Sequence, residues 1–502
     1  MIAILLAILM VSSAQAEPRF EPRALPVEHI YSGGWEHFVG GGVAIFDCDG
    51  DGFLDLYLAG GAGHSHLLRN VTGKIGASIQ FEQADIEQLT NVIGAYPLDI
   101  DNDAILDLFV LRLGENIVLR GDGACGFQSI GTTLGLPDLD RWSTAFSATW
   151  EPGSERPTLA VGNYVDRADP EGPFEACDRN ELYRWGDSGY KLHNLEPGFC
   201  ALSMLFSDWN RTGVQDLRVS NDRHYYVRGG SEQMWAMPDL TLREGGGWQP
   251  ISIWGMGIAS QDITGDGRPE VVLTSMGDQL MQIASEDGYE MARFEIGTFA
   301  QRPYIGDDGR PSTGWHAQFG DVDNDARSDL FIAKGNVDQM PGNAMHDPNN
   351  LLMQRPDGRF EEHGDRAGLA SIDRSRGAGL ADLNRDGGLD LVVVNRRAAA
   401  ELYENVTLAR GSWVQIQPRM DGSNSHAVGA WVEVQNTKQS QEITVGGGHV
   451  SGQVSPVHFG LGSRSEAKVR VIWPDGTQGP WRNLLAGRSY VMWKSGAVQP
   501  DR

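Results

Sequence analysis

At 502 residues the chain exceeds what one ordinary hydrophobic core supports, so it calls for two or three domains or one large repeat architecture. Its formal charge of −26 argues against nucleic acid and anionic membrane as partners, since both need a basic footprint, and makes divalent cations its natural counter-charge.

The chain opens MIAILLAILMVSSAQA. An apolar run of about ten residues, then small residues and Ala14-Gln15-Ala16, predicts a secretory signal spanning 1–16 and cleaved after Ala16. The run is well short of the ~20 residues of a bilayer span. No later segment is long and apolar enough to span, so the expectation is a secreted or periplasmic protein. Disulfides persist there, and Cys48, Cys125, Cys177 and Cys200 allow three connectivities. Cys177 with Cys200 is preferred because the two lie in one repeat and flank a hairpin-like segment; Cys48 then pairs with Cys125.

From residue 42 a pattern recurs. GVAIFDCDGDGFLDLYLAG returns as AYPLDIDNDAILDLFVLRL, AQFGDVDNDARSDLFIAKG and AGLADLNRDGGLDLVVVNR, each a strand, an acidic loop and a strand. Weaker copies stand around Asp208 and Asp262, and a stripped one around Trp150. The loops begin at Asp47, Asp99, Trp150, Asp208, Asp262, Asp321 and Asp382, spaced 51 to 61 residues apart. That period marks a propeller or array. Between loops lie two further strand candidates joined by turns such as Pro356-Asp357-Gly358, making four strands per repeat. The last repeat lacks its outer strand, and RFEPRALP at 19–26 resembles RFEEHGDRAGL at 359–369. Residues 18–26 are therefore expected to complete blade seven. The fold class read from these features is all-β: a seven-bladed β-propeller over 17–408, followed by a small β-sandwich domain over 409–495 and a tail at 496–502.

In the strong loops, oxygen side chains occupy positions one, three, five and nine. Asp47, Asp49, Asp51 and Asp55 form the first set, with the carbonyl of Phe53; Asp99, Asp101, Asp103 and Asp107 form the second. Asp321, Asp323, Asp325 and Asp329 follow, then Asp382, Asn384, Asp386 and Asp390. Several carboxylates gathered by a tight turn suit a hard cation with six to eight oxygen ligands, so Ca2+ is the expected cofactor at four sites and at up to six. Asp262, Thr264, Asp266 and Glu270 make a fifth set with less charge; Asp208, Asn210, Thr212 and Asp216 make a poorer one. Trp150, Pro152, Ser154 and Thr158 offer no carboxylate. An EF-hand is set aside, because it needs flanking helices and a bidentate Glu at position twelve. Turn formation alone would explain one copy, but repeated like charges at fixed offsets need compensation.

These loops resemble the FG-GAP/VCBS repeats, which the integrin α-subunit propeller also carries. After residue 410 the runs NSHAVGAWVEV, GGGHVSGQ, HFGLG and VIWPDGT together resemble the ASPIC/UnbV domain. The whole resembles the cartilage-acidic-protein-like group. That resemblance implies an exported calcium-binding or interaction protein, with no common reaction established for the group.

Candidate ligand residues converge from strand entrances and from loops after second strands: Trp142, Arg223, His224, Tyr225, Trp254, Trp315, His316, Arg376 and Arg396. Coming from separate blades, they are expected to converge round the channel mouth as a concave polar and aromatic site. Inter-blade packing and local ion pairs are the competing explanation. His64 and His66, alternate residues of a Gly-rich loop, are a candidate transition-metal pair. Arg120-Gly121-Asp122 falls at an ordinary turn, and Gly446 to Gly448 lack the context of a nucleotide loop. The leading functional reading is a non-catalytic protein- or glycan-binding module. Its rival is an enzyme acting on a carbohydrate or small organic substrate through Arg223, His224 and Tyr225.

Overall fold

The computed structural model describes residues 16–222, 230–299, 312–336 and 345–501; apart from Ala16, the expected signal segment lies outside them. With 48% strand and 3% helix the chain is all-β, as short β-branched and aromatic runs punctuated by Gly, Asn and Asp dictate. No helix among the described residues is long and apolar enough to cross a membrane.

Every repeat loop joins an antiparallel pair. Val43–Phe46 pairs with Asp55–Leu58, Val92–Leu98 with Asp107–Gly114, and Arg141–Thr149 with Thr158–Asn163. Ala201–Ser207 pairs with Asp216–Asn221, and Gly255–Gln261 with Glu270–Gly277. Ser312–Gly320 pairs with Asp329–Lys334, and Ser375–Ala381 with Asp390–Asn395. Loop position nine is the first residue of the second strand each time, which is why it points back into the turn. Two more strands extend each pair, as His66–Asn70 and Phe81–Ala84 extend the first. In the last unit the outermost position beside Glu401–Asn405 is taken by Phe20–Arg23 from the N-terminal end.

The first strands are almost wholly buried, and each lies against the next. Ser375–Ala381 lies in turn against Val43–Phe46, so they form a closed circuit. Apolar clusters fill the spaces between neighbouring units. Ala44, Phe46 and Tyr57 pack with Val92, Leu108 and Leu119, and Val43, Ile45 and Leu56 with Val392, Val394 and Leu402. The core is thus distributed among nearest neighbours, which is how a repeat chain grows past the size limit of one core. Both disulfides are formed. Cys48–Cys125 ties the first acidic loop to a turn of the next unit, and Cys177–Cys200 brackets the hairpin of Asn180–Gly186 and Gly189–Leu195.

After residue 410 the chain makes two four-stranded sheets. Ser412–Arg419 lies between Val457–Gly462 and Arg488–Trp493, with Val498–Pro500 outside; Trp431–Val434 lies between Gln439–Glu442 and Glu466–Ile472, with Arg482–Leu485 outside. Val414, Ile416, Val432, Phe459, Val469 and Trp473 share their core.

The segment from Val445 to Gln453 leaves these sheets and runs inside the circuit of first strands. It bridges Ala148 at Val445, Leu205 at Gly446, Ile258 at Gly448 and Ala95 at Ser451. His449 donates its N–H to His316 Nδ1 at 3.1 Å, and Gln453 donates to the Leu380 carbonyl at 2.9 Å. Gly452 and Gln453 then pair in parallel with Ala44 and Ile45. Every first strand therefore meets this segment. Such an approach needs missing side chains: a Cβ on Gly42 or Gly94 would strike the Val450 carbonyl. The sequence-based expectation of an open channel meets a channel filled by the chain itself.

Candidate metal centres and the opposite face

In the described loops the first and ninth carboxylates carry the backbone. Asp47 accepts N–H groups from Gly50 and Gly52 at 2.8 and 2.9 Å, and Asp321 those of Asp325 and Ala326 at 3.0 and 2.8 Å. Asp55 receives Cys48 N–H on one oxygen and Asn70 N–H on the other, at 2.7 and 2.8 Å, stapling the turn to the third strand. Asp107, Glu270, Asp329 and Asp390 repeat that staple.

Ligand oxygens of Asp47, Asp49 and Asp55 lie within 4.8 Å of one another, as do those of Asp99, Asp101 and Asp107 and those of Asp321, Asp323 and Asp325. Asp51 is exposed and turned to its own Phe53 N–H at 2.8 Å, and Asp103 accepts Ile105 N–H at 2.9 Å. Both stand outside those three-residue groups. In the last loop Asp382 accepts Asp386 and Gly387 N–H groups at 3.0 and 2.9 Å, and Asn384 is buried beside it. Around Asp262, Thr264 turns its hydroxyl toward Glu270 at 3.4 Å while Asp266 is exposed.

Two loops have replaced the pattern. Asp216 accepts Arg243 Nε at 2.6 Å and Trp209 Nε1 at 2.8 Å, so an arginine meets its charge. In the loop from Trp150, Glu151 takes the Thr158 hydroxyl and Arg184 Nε, both at 2.7 Å.

The buried first and ninth carboxylates of the acidic loops are held high. Burial outweighs the N–H donors and lifts Asp55 to about 8, with Asp47 and Asp49 adding repulsion. Asp107 and Glu270 rise to about 7 by burial, with neighbouring carboxylates adding repulsion, and Asp382 to about 7 by burial and then Asp386. Asp321, Asp329 and Asp390 are raised well above the ordinary value by the same two causes. Arginines offset part of the charge: Arg69 reaches Asp49 at 2.6 Å, Arg120 reaches Asp101 and Asp103 at 2.8 and 2.6 Å, and Arg410 reaches Asp386 at 2.8 Å. Asp101 still buries its second oxygen, Oδ1, without a hydrogen-bond partner. Arg120-Gly121-Asp122 is thereby accounted for as a turn whose arginine belongs to this loop.

The C-terminal sheets cover this face of the repeat domain. Ser440 donates to Asp262 at 2.8 Å, Gln415 to Asp382 at 2.9 Å, and His458 Nε2 lies 2.7 Å from Asn324 Oδ1. Glu442 accepts the Asp208 N–H at 2.9 Å and the Ser207 hydroxyl at 2.7 Å. Arg211 pairs with Glu433 at 3.0 Å while lying over Trp431. A cavity of roughly 230 Å³, lined by Leu205, Ile258, Gln318, Arg419 and His458, remains between the two parts. The only sequence signal for this docking is the uncharged, Gly-rich composition of Gly446–Gln453, which suits a segment buried against backbone.

Of the candidate ligand residues, Trp315 is buried, donates to the Gly335 carbonyl at 2.6 Å, carries the Arg376 guanidinium over its ring and contacts His449. His316 is 5% exposed and pulled down to about 4 by burial. Arg376 donates to the carbonyls of Phe38 and Gly335 at 3.1 and 2.8 Å, and Arg396 to those of His37 and Gly34 at 3.3 and 3.2 Å. These four hold the interior. Trp142 is buried too, but it supports an outer aromatic cluster. Trp35 meets it edge-on at 5.0 Å, and Phe38 and Tyr164 complete the group. Trp35, which sequence reasoning missed, is 47% exposed; its only signal is an aromatic residue following Gly33-Gly34. Tyr164 donates its hydroxyl to Asp222 at 2.7 Å, and burial raises that carboxyl to about 6. Half-buried Trp254 bridges Asp222 through its backbone. Arg223, His224 and Tyr225 lie outside the described residues.

Residues 420–499 match the family model of ASPIC and UnbV, and residues 47–110 that of the FG-GAP-like repeat. No curated protein matches the chain significantly. Among solved structures, one described as BBS1N in complex with ARL6DN, soaked with mercury, is 12% identical over 76% of this chain and 96% of that one, with a TM-score of 0.47. AofleA from Arthrobotrys oligospora is 12% identical over 68% and 88%, with a TM-score of 0.38. An Agrocybe aegerita protein, described by its recognition of non-reducing terminal N-acetylglucosamine, is 14% identical over 81% and 85%, with a TM-score of 0.30.

Proposed function

We propose that this chain, which carries an FG-GAP-like repeat and a C-terminal ASPIC/UnbV domain, acts as an exported calcium-clamped interaction module. It is read as a seven-bladed β-propeller, with residues 18–26 completing the last blade and the C-terminal β-sandwich seated on the loop face. The closed circuit of first strands and the pairing of Phe20–Arg23 with Glu401–Asn405 support that reading. Two disulfides are consistent with export.

The loop residues fit calcium. Their donors are all oxygen, carboxylates cluster in a tight turn, and Asp101 Oδ1 is buried without a hydrogen-bond partner. Asp47, Asp49 and Asp55 would hold one ion; Asp99, Asp101 and Asp107 a second; Asp321, Asp323, Asp325 and Asp329 a third; Asp382, Asn384, Asp386 and Asp390 a fourth. The Asp262 loop, with Thr264, Asp266 and Glu270, would be a fifth. A bound ion supplies the positive charge that these buried carboxylates lack. The chain's own part is to hold the turn and staple it to the third strand.

The observation that carries the interaction reading is Trp35. With the loop face under the C-terminal sheets and the channel filled, the opposite face is left uncovered by the described residues around Trp35, and there this exposed tryptophan stands on Phe38 and on buried Trp142 and Tyr164. A half-exposed aromatic on a rigid base suits a sugar ring or an apolar side chain of a protein partner. The test is a screen of glycans and extracellular proteins against calcium-loaded protein, followed by Trp35→Ala. Binding that falls about tenfold or more in that variant supports the reading; no ligand, or equal binding, overturns it.

A further inference from the structure

We propose that His29 and His66 form a seat for a borderline transition-metal ion, Zn2+ or Cu2+, separate from the acidic loops and reached from solvent past His64. The two Nδ1 atoms face each other at 2.9 Å, with the rings nearly perpendicular at 85°. His29 Nε2 lies 2.9 Å from the Ala59 carbonyl. A carbonyl only accepts, so the His29 proton sits on Nε2 and its Nδ1 turns a lone pair toward His66. A backbone carbonyl fixing the far nitrogen of an imidazole is the support that metal-binding histidines commonly have.

His66 Nδ1 therefore carries the shared proton in this structure. Moving that proton to His66 Nε2 leaves the ring neutral and gives both Nδ1 atoms lone pairs that face each other across the gap, so the half-buried His66 ring must turn off that line for both to meet an ion. An ion about 2.0–2.1 Å from each nitrogen would subtend roughly 90° at the observed separation. That is the cis angle of a square or octahedral site, and a small outward shift of His66 opens it toward tetrahedral. No net proton is released in this exchange.

Three segments make the seat rigid. Ala59 directly follows Asp55–Leu58, and His66 begins the neighbouring strand His66–Asn70. His29 is anchored by its own N–H to Val27 and by its carbonyl to the Ala400 N–H. His29 is buried, His66 half-buried and His64 exposed, so an ion enters from the His64 side, where a third imidazole of the same loop is available. Nitrogen donors select against calcium and for zinc or copper. The acidic loops have the opposite chemistry.

The test uses the untagged mature protein, stripped of metals and then saturated with calcium. Titration with Zn2+ by calorimetry is expected to show one micromolar site, weakened at least about tenfold in His66→Gln and in His29→Gln. Cu2+ bound to the wild type should show electron-resonance couplings to two imidazole nitrogens, reduced to one in either variant. His66→Gln is half-buried and tolerable, so it decides the matter if His29→Gln fails to fold. Absence of a micromolar site, or a His66→Gln protein that binds like the wild type, overturns the proposal.

Discussion

Ser425 donates a 2.9 Å hydrogen bond to Asp99, the first residue of the second acidic loop, across 326 residues of sequence. Ser440 does the same to Asp262. Ser425 lies in the turn between Ser412–Arg419 and Trp431–Val434, and Ser440 in the strand Gln439–Glu442, so the loop carboxylates are also the interdomain contact. A hydrogen bond to a charged group is worth about 1.5–3 kcal/mol. The double variant Ser425→Ala, Ser440→Ala should accordingly lower the unfolding free energy by several kcal/mol in a denaturant titration, and should let limited proteolysis release a fragment beginning near residue 410. A loss below about 1 kcal/mol would mean that the contacts add nothing to docking.

Calcium should stabilise the chain strongly. Each site held at a hundred times its Kd adds about 2.7 kcal/mol, so EGTA is expected to lower the thermal midpoint markedly and calcium to restore it. Asp323→Asn should remove one site's share of that rise and leave the remainder. An unchanged midpoint in EGTA would remove the metal from the account.

The pH dependence follows from the raised carboxylates. Asp55 titrates at about 8 and Asp107 and Asp382 at about 7 in the folded chain, against an ordinary 3.8. Between about pH 4 and 8 the folded state then holds more protons than the unfolded one, so stability in EGTA falls as pH rises through that window. The contribution is complete below the unfolded value and lost by about pH 8. Protons and calcium compete for the same oxygens, so calcium affinity should move the other way and weaken below about pH 7. Midpoints measured with EGTA and with calcium across this range should diverge as pH increases; parallel curves would contradict it.

Gly94→Ala tests the filled channel. The added Cβ would meet the Val450 carbonyl and the Val450 side chain, and overpacking of that kind costs about 1–3 kcal/mol. Because the strain falls on both partners, proteolysis within Gly446–Gln453 should accelerate in the variant. Equal protection would show that the segment does not occupy the channel in solution.

Much of this molecule is legible residue by residue. The offsets of Asp47, Asp55 and their counterparts mark where one strand ends and the next begins, because short carboxylates cap a turn through their immediate neighbours. The bracketing of a hairpin by Cys177 and Cys200, and the likeness of residues 19–26 to a missing outer strand, could also be read locally. Asn70 and Asn405 show the limit. Each opens an Asn-Val-Thr glycosylation sequon, yet both are buried and donate across to neighbouring repeats, Asn70 to the Leu383 carbonyl at 2.8 Å and Asn405 to the Val322 carbonyl at 2.9 Å.

The sequence by itself determined the repeating strand, loop and strand, the acidic clusters and the all-β class, since each depends on turn chemistry and periodicity within about twenty residues. Tertiary structure decided what the loops face, what fills the channel and which histidines meet. Ser425 finds Asp99, Val450 finds Gly94 and His29 finds His66 only after the repeats have closed on one another, and no local pattern specifies a contact made by closure.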